Sequence, residues 1–219
     1  MTIEYDRNFW DSKARSYSKN QVGDEAGYQR TLDKTRTLLK PSDRVVELGC
    51  GTGSTALRLA DCAQTYLATD ISPEMIQIGN EKKAAQAEGD EKLPGLSFRA
   101  ATAEELAAEA TRFTAVLGFN YLHLVPDIPQ TLKSIHTMLE DGGLFISKTA
   151  CLKDFSFMMQ LAVLALPLMQ MVGQAPTVAK FNQDQLMKMI QDAGFEIVET
   201  EKHATSGVDG RPYIVARKT

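Results

Sequence analysis

With 219 residues, 43% hydrophobic and 24% charged, the chain has the composition of one folded soluble domain, which excludes a disordered or collagen-like protein. A formal net charge of -4 and the lack of any dense Lys/Arg run exclude nucleic-acid binding as its main business. Cys50, Cys62 and Cys151 are scattered, odd in number and without metal-ligand spacing, which argues against a disulfide framework and a bound metal and for a reducing cytoplasm.

Residues 1–7 carry acidic side chains and no apolar run, so no secretory leader is expected. A helical arm over residues 1–40, with Phe9, Trp10, Asp11, Ala14 and Tyr17 in its opening helix, closes at Pro41-Ser42-Asp43. A buried strand ending at Leu48 then turns through Gly49, Gly51 and Gly53 into a helix carrying Ala56, Leu57, Leu59 and Ala60. Glycines at alternate positions let the backbone bend where a Cβ would forbid it and let a ligand lie on the main chain. The spacing is not the G-x-G-x-x-G of dinucleotide folds, because position 54 is Ser and the third glycine comes one residue early. Glu47, two residues before Gly49, would repel a phosphate and attract an amino or sulfonium group, so the expected ligand is cationic. Cys50 has no neighbouring cation or His in sequence to activate it and reads as small loop filler.

A second strand over 65–70 ends on Asp70, whose carboxylate can accept hydrogen bonds from both hydroxyls of a ribose. Ser72 and Pro73 open the next helix as N-cap and first residue, and Pro94-Gly95 breaks the chain before a third strand. Residues 113–120 read as a fourth buried strand. Asn120, Tyr121 and His123 follow it, where strand ends face the ligand crevice of an open α/β sheet. Asp127 caps a helix with Leu132, Ile135 and Leu139 that is expected to stop at Gly142-Gly143, before a fifth strand. Asn182 caps another with Leu186, Met189, Ile190 and Ala193 on one face, ended by Gly194, and strands over 195–200 and 213–217 are joined by a turn at 207–212. This βαβ rhythm predicts an α/β fold with a parallel sheet in a single domain over 1–219.

An apolar insertion at about 152–180 interrupts that rhythm, and 155–179 contains no Asp, Glu, Lys, Arg or His. It is long enough to cross a bilayer, but a span there would tear apart strands that must pair, so no stable membrane insertion is expected. The residues leave open dimer-forming helices giving a homodimer, a plain core helix and interfacial membrane contact. Met158, Met159, Met169, Met171, Met187 and Met189 suit either an adaptable apolar surface or ordinary core.

Taken together, these segments resemble the class I S-adenosylmethionine-dependent methyltransferases, in their small-molecule, quinone-biosynthesis-like branch. Residues 47–53 are similar to that family's first motif, with Glu47, Gly49, Gly51 and Gly53 cradling the methionine part of the cofactor. Residues 70–75 resemble its second, which implies Asp70 on the ribose and Ile71 and Met75 near the adenine. Thr102 and Ala103 stand where the family has an Asp-Ala pair on the adenine amine, and Phe119 and Asn120 match the cofactor side of the fourth strand. The resemblance implies a Rossmann-like seven-stranded, mostly parallel sheet with helices on both faces and an antiparallel C-terminal strand. It also implies an opening helix that closes over S-adenosylmethionine, and it gives the apolar insertion a fourth reading, a lid over the substrate.

Methyl transfer from a sulfonium asks the protein to align acceptor, methyl and sulfur and to exclude water. An acceptor that must lose a proton also calls for a base. His123 titrates in the useful range and reads either as that base or as a structural His beside Leu122 and Leu124. Tyr17 and Tyr28 are further candidates for touching the acceptor or capping the cofactor, whereas His136 and His203 read as structural. The expected reaction is O- or C-methylation of a small, apolar or aromatic acceptor, with no nucleic-acid partner. The alternatives are a non-catalytic S-adenosylmethionine-binding or scaffolding subunit and, against the glycine spacing, an NAD-dependent oxidoreductase.

Overall fold

A computed structural model describes every residue except 1, 21, 89–91, 157–158, 161–163, 165, 172 and 206–209; Met158 and half of the expected turn at 207–212 therefore lie outside the described residues. Seven strands, β1 (Arg44–Leu48), β2 (Thr65–Asp70), β3 (Leu96–Ala100), β4 (Phe113–Phe119), β5 (Leu139–Lys148), β6 (Phe195–Glu201) and β7 (Tyr213–Lys218), form one sheet. Their order is β3-β2-β1-β4-β5-β7-β6. Strands β1 to β5 are mutually parallel, and β7 runs antiparallel to both β5 and β6. The Rossmann-like expectation holds, including the reversed C-terminal strand.

Two-residue alternation sends β1 side chains to opposite layers. Val46 and Leu48 join Val116, Phe145 and Ile214 beneath α6 (Ile128–Met138) and α8 (Gln183–Asp192), which contribute Leu132, Ile135, Leu186 and Ile190. On the other face Val45 joins Tyr66, Leu117 and Val215 against Leu32 of α2 (Glu25–Leu38), Leu59 of α3 (Ala56–Leu59) and Ile76 of α4 (Pro73–Glu88). The caps read from sequence act as such: Asp127 accepts from Gln130 N, Asn182 forms a capping box with Gln185, and Ser72 Oγ accepts from Met75 N.

Two boundaries differ from the sequence reading. The helix after the glycine loop, α3, lasts four residues before tightening into a 3₁₀ turn at Ala60–Cys62. Helix α6 stops at Met138 rather than at Gly142-Gly143, because Leu139 is already extended and pairs with Phe113. The two glycines lie inside β5, where the register jumps from Phe113↔Leu139 to Ala115↔Leu144. A Cβ at Gly143 would sit 2.8 Å from Glu140 O and 3.0 Å from Thr114 O, so the glycine serves this irregularity rather than a helix end.

The arm is two helices, α1 (Ile3–Tyr17) and α2, rather than one run. Helix α1 is pinned to α4 by Asp11, which accepts from the Ser72 hydroxyl and from Glu74 N, and by the Arg15–Glu81 ion pair. It also holds the apolar insertion: the Tyr5 hydroxyl lies 2.9 Å from the carbonyls of Gln170 and Ala175, and Asp6 accepts from Thr177 N at 2.7 Å. Within the insertion, α7 (Leu166–Met171) leaves Leu168 and Met171 exposed. No helix of the described residues is long and apolar enough to cross a membrane.

Leu132 is fully enclosed between α6 and the sheet. Leu132→Ala is expected to lower unfolding stability by about 2–5 kcal/mol, read from the urea midpoint. Asn182→Ala, which removes only a cap, costs about 1 kcal/mol in the same assay. A Leu132→Ala cost no larger than the cap's would show this layer to be poorly packed.

Candidate active site

The loop after β1 is shaped by exclusion. Gly49 has φ +66°, and a Cβ there would stand 2.6 Å from Cδ2 of Tyr121, whose ring closes the gap beside the end of β4. Gly51, at φ +54°, leaves bare main chain towards the cavity, with Tyr17 3.7 Å from where a Cβ would lie. Gly53 is packed instead under the Phe98 ring.

Asp70, at the end of β2, is wired into this loop: Oδ2 accepts from Gly51 N and Oδ1 from Ser72 N, each at 2.9 Å. Each oxygen keeps a lone pair for a ligand hydroxyl. Burial raises the Asp70 carboxyl above its ordinary range, against the pull of those N–H donors. Glu47 lies beneath the loop, 2% exposed, and accepts from the Tyr66 hydroxyl at 2.8 Å. Desolvation pushes its pKa up to about 7, opposed by the Tyr66 hydrogen bond and assisted by the Asp70 charge. Burial first, then the charges of Glu47 and Asp70, push the Cys50 thiol well up, so it stays protonated.

A cavity of about 1200 Å³ runs along the C-terminal edge of the sheet. Of the residues singled out from sequence as a site, all but Gly53 and Ala103 line it. Ala103 is 1% exposed and starts α5 (Ala103–Ala107), packed in the core with Leu106. Thr102 lines the cavity, but its hydroxyl accepts from Glu105 N while its own N–H donates to the Glu105 carboxylate, a complete capping box. Ile71 accepts at its carbonyl from Arg7 Nε, and Met75 packs with Trp10 of the arm. Asn120 adopts φ +52° and donates its N–H to Lys148 O.

Tyr17 stands over the glycine loop, 48% exposed, with its ring edge-on to Trp10. Partial burial and the nearby Asp70 charge raise its pKa, so it keeps its proton at neutral pH. Tyr28 lines the cavity with its hydroxyl 3.0 Å from Thr55 Oγ1. None of the described residues of 152–180 lines the cavity; its outer wall comes from α1, α2 and the loop between them.

His123 sits in a 3₁₀ turn after β4. Thr149 Oγ1, fully buried, accepts the His123 backbone N–H at 3.1 Å and lies 2.8 Å from Nδ1. With that hydroxyl donating to Nδ1 the neutral ring carries its proton on Nε2, and with it accepting from Nδ1–H the ring leaves Nε2 as an acceptor. Burial, reinforced by the Arg211 charge, lowers the ring's pKa to about 4, so it is neutral at pH 7. Tyr121, named from sequence with Asn120 and His123 at the end of the fourth strand, also lines the cavity, as do Lys148 and Arg211, which were not singled out from sequence as site residues. Lys148 carried one usable signal, its position at the end of β5, matching that of Asp70 on β2.

A family model described as a methyltransferase domain matches residues 22–200. A demethylmenaquinone methyltransferase of Symbiobacterium thermophilum is 29% identical over 161 residues, which is 70% of this chain and 61% of that protein. A ubiquinone biosynthesis O-methyltransferase of Xanthomonas oryzae pv. oryzae is 33% identical over 106 residues, covering 48% of this chain and 42% of the relative. The chain thus spans less than two thirds of the length of these two relatives. Among solved structures, magnesium protoporphyrin IX methyltransferase of Synechocystis, with bound SAH, superposes with a TM-score of 0.71 at 19% identity, covering 99% of both chains. With its match from residue 22 to residue 200 and its β3-β2-β1-β4-β5-β7-β6 sheet, the chain belongs to the methyltransferase-domain family, in the class I S-adenosylmethionine-dependent group.

Proposed function

We propose that this protein transfers a methyl group from S-adenosylmethionine to oxygen or carbon of a small molecule with an apolar or aromatic body. One observation carries the reading: the glycine loop, Asp70 and the apolar side chains of Tyr121, Leu124 and Val125 line a single cavity. The residues present fit a positively charged nucleoside. A buried carboxylate, Glu47, and a half-buried one, Asp70, sit at the loop, Asp70 has lone pairs to offer, and Gly51 exposes backbone. The relatives' names, which refer to quinone biosynthesis, support a small acceptor.

In this reading Glu47 and Asp70 hold the cofactor, Ile71, Met75 and Thr102 border its base, and Tyr17 with Trp10 covers it. The cofactor, when bound, supplies an already activated methyl group. The chain's own part is to bind, align and keep water out. The arm does the last of these, since α1 is clamped to α4 through Asp11 and to the apolar insertion through Tyr5 and Asp6. His123, a neutral ring held by Thr149, is the group that meets the acceptor's polar atom.

Incubation with labelled S-adenosylmethionine and a panel of phenols, quinone precursors and fatty acids is expected to yield a labelled small molecule. Failure to label any of these, or any component of a cell extract, would sink the enzymatic reading. Asp70→Ala is expected to weaken both S-adenosylmethionine and its demethylated product by about tenfold or more in calorimetric titration, as expected when a charged hydrogen-bond acceptor is removed. Unchanged affinity would move the ribose elsewhere.

Cofactor affinity should also depend on pH through Glu47. A group with a folded pKa of about 7 is largely protonated below that pH, and a bound cation favours its carboxylate, so binding releases a proton there. Affinity is expected to rise by up to about tenfold per unit from mildly acid pH to neutrality, then level off. Glu47→Gln should flatten that profile; a flat profile in the unaltered protein would remove Glu47 from the site.

A further inference from the structure

Helix α1 carries into the cavity wall a carboxylate that the packing of the arm does not explain. Asp6 lines the cavity together with Ile3, Trp10, Leu124 and Val125, and it is 3% exposed. Its Oδ1 accepts from Thr177 N at 2.7 Å, while its Oδ2 is buried and no donor among the described residues reaches it. The adjoining Arg7 does not pair with it and donates its Nε to Ile71 O at 3.1 Å. Two residues beyond Thr177, the N–H of Ala179 donates to His123 O at 2.8 Å. Two residues span at most about 7 Å, so one short stretch of chain holds Asp6 close to the turn that carries His123.

Clasping Thr177 requires one oxygen, and the uncharged carboxamide of an asparagine would supply it. Tyr5 already ties the insertion to α1 through Gln170 O and Ala175 O. A second oxygen, buried without a donor, is unfavourable in the protein alone and calls for a partner from outside the chain. We propose that Asp6 is a specificity-determining residue whose Oδ2 accepts a hydrogen bond from a hydroxyl of the methyl acceptor, so that the acceptor is an uncharged hydroxyl compound of the phenol type rather than a carboxylic acid. This rests on the methyltransferase reading above. The terminal torsion of an aspartate is soft, which lets the carboxylate turn Oδ2 to the cavity while Oδ1 keeps Thr177. Trp10, Leu124 and Val125 beside it suit the apolar body of such an acceptor. A carboxylate head would meet Asp6 as a like charge, and an ether would bring it no donor.

Equilibrium dialysis of the protein saturated with S-adenosylhomocysteine tests this with two bodies, naphthalene and biphenyl, each carrying a hydroxyl, a methoxy or a carboxylate group. At least one hydroxyl compound is expected to bind about tenfold or more tightly than both its methyl ether and its carboxylate. In Asp6→Asn the amide keeps an oxygen for Thr177 N and brings an NH₂ donor to the cavity. The preference should then shift from the hydroxyl towards the ether and the carboxylate, a reversal that mere loosening of α1 would not produce. Thr177→Val, which keeps the backbone donor, should leave the order unchanged. Hydroxyl compounds that bind no better than their ethers, or fail to bind, overturn the assignment from the unaltered protein alone, however the variants fold. A preference that survives Asp6→Asn, or is lost instead in Thr177→Val, overturns it as well. Loss of S-adenosylhomocysteine binding would count against the cofactor reading, and the same series dialysed without it would still decide the role of Asp6.

Discussion

The ring of Tyr121 and any side chain at position 49 would compete for the same space, and the site is built round that exclusion. Strand order reverses between β1 and β4, so the chain leaves these neighbours in opposite directions and opens a crevice between them. Tyr121 fills its floor, packed against both Gly49 and Gly118. The backbone of the loop can then come close enough to Asp70 for Gly51 to donate to it. Loop, aspartate and ring hold one another in place before any ligand arrives, which is the preorganisation an alignment-driven reaction requires.

On that scaffold the carboxylates and the histidine stand on opposite sides of the crevice. Burial raises the pKa of both carboxylates on the β1 and β2 side, so each is strained towards the neutral form until a cation relieves it. Across the crevice, burial and Arg211 keep His123 neutral. The same burial thus favours a bound cation at the β1 and β2 side and a neutral ring across from it.

Closure falls to the N-terminal arm. Its helices wall the cavity, and the apolar insertion, in its described part, grips α1 through backbone groups around residues 170–177 rather than facing the cavity itself. Asp6 is central to that grip: 3% exposed, it spends one oxygen on Thr177 N. Covering the site and holding the cover in place are therefore tasks of different segments.

The strands, the caps at Ser72, Asp127 and Asn182, the glycine loop and Asp70 were all legible in the sequence, because each depends on local rules: period-two burial, N-cap chemistry and residues tolerant of positive φ. The end of α6 was not, since pairing of Leu139 with Phe113 outweighs the helical pattern that runs towards Gly142. Nor was the engagement of Thr102 in a cap, although Glu105 three residues on was the available sign. What only the tertiary structure decided is which side chains meet across the crevice. Lys148 reaches Thr31, 117 positions away, and His123 is held by Thr149, 26 positions away. Sequence periodicity records which face of its own element a residue occupies, but contacts between elements arise from strand order and layer packing, which no local pattern encodes.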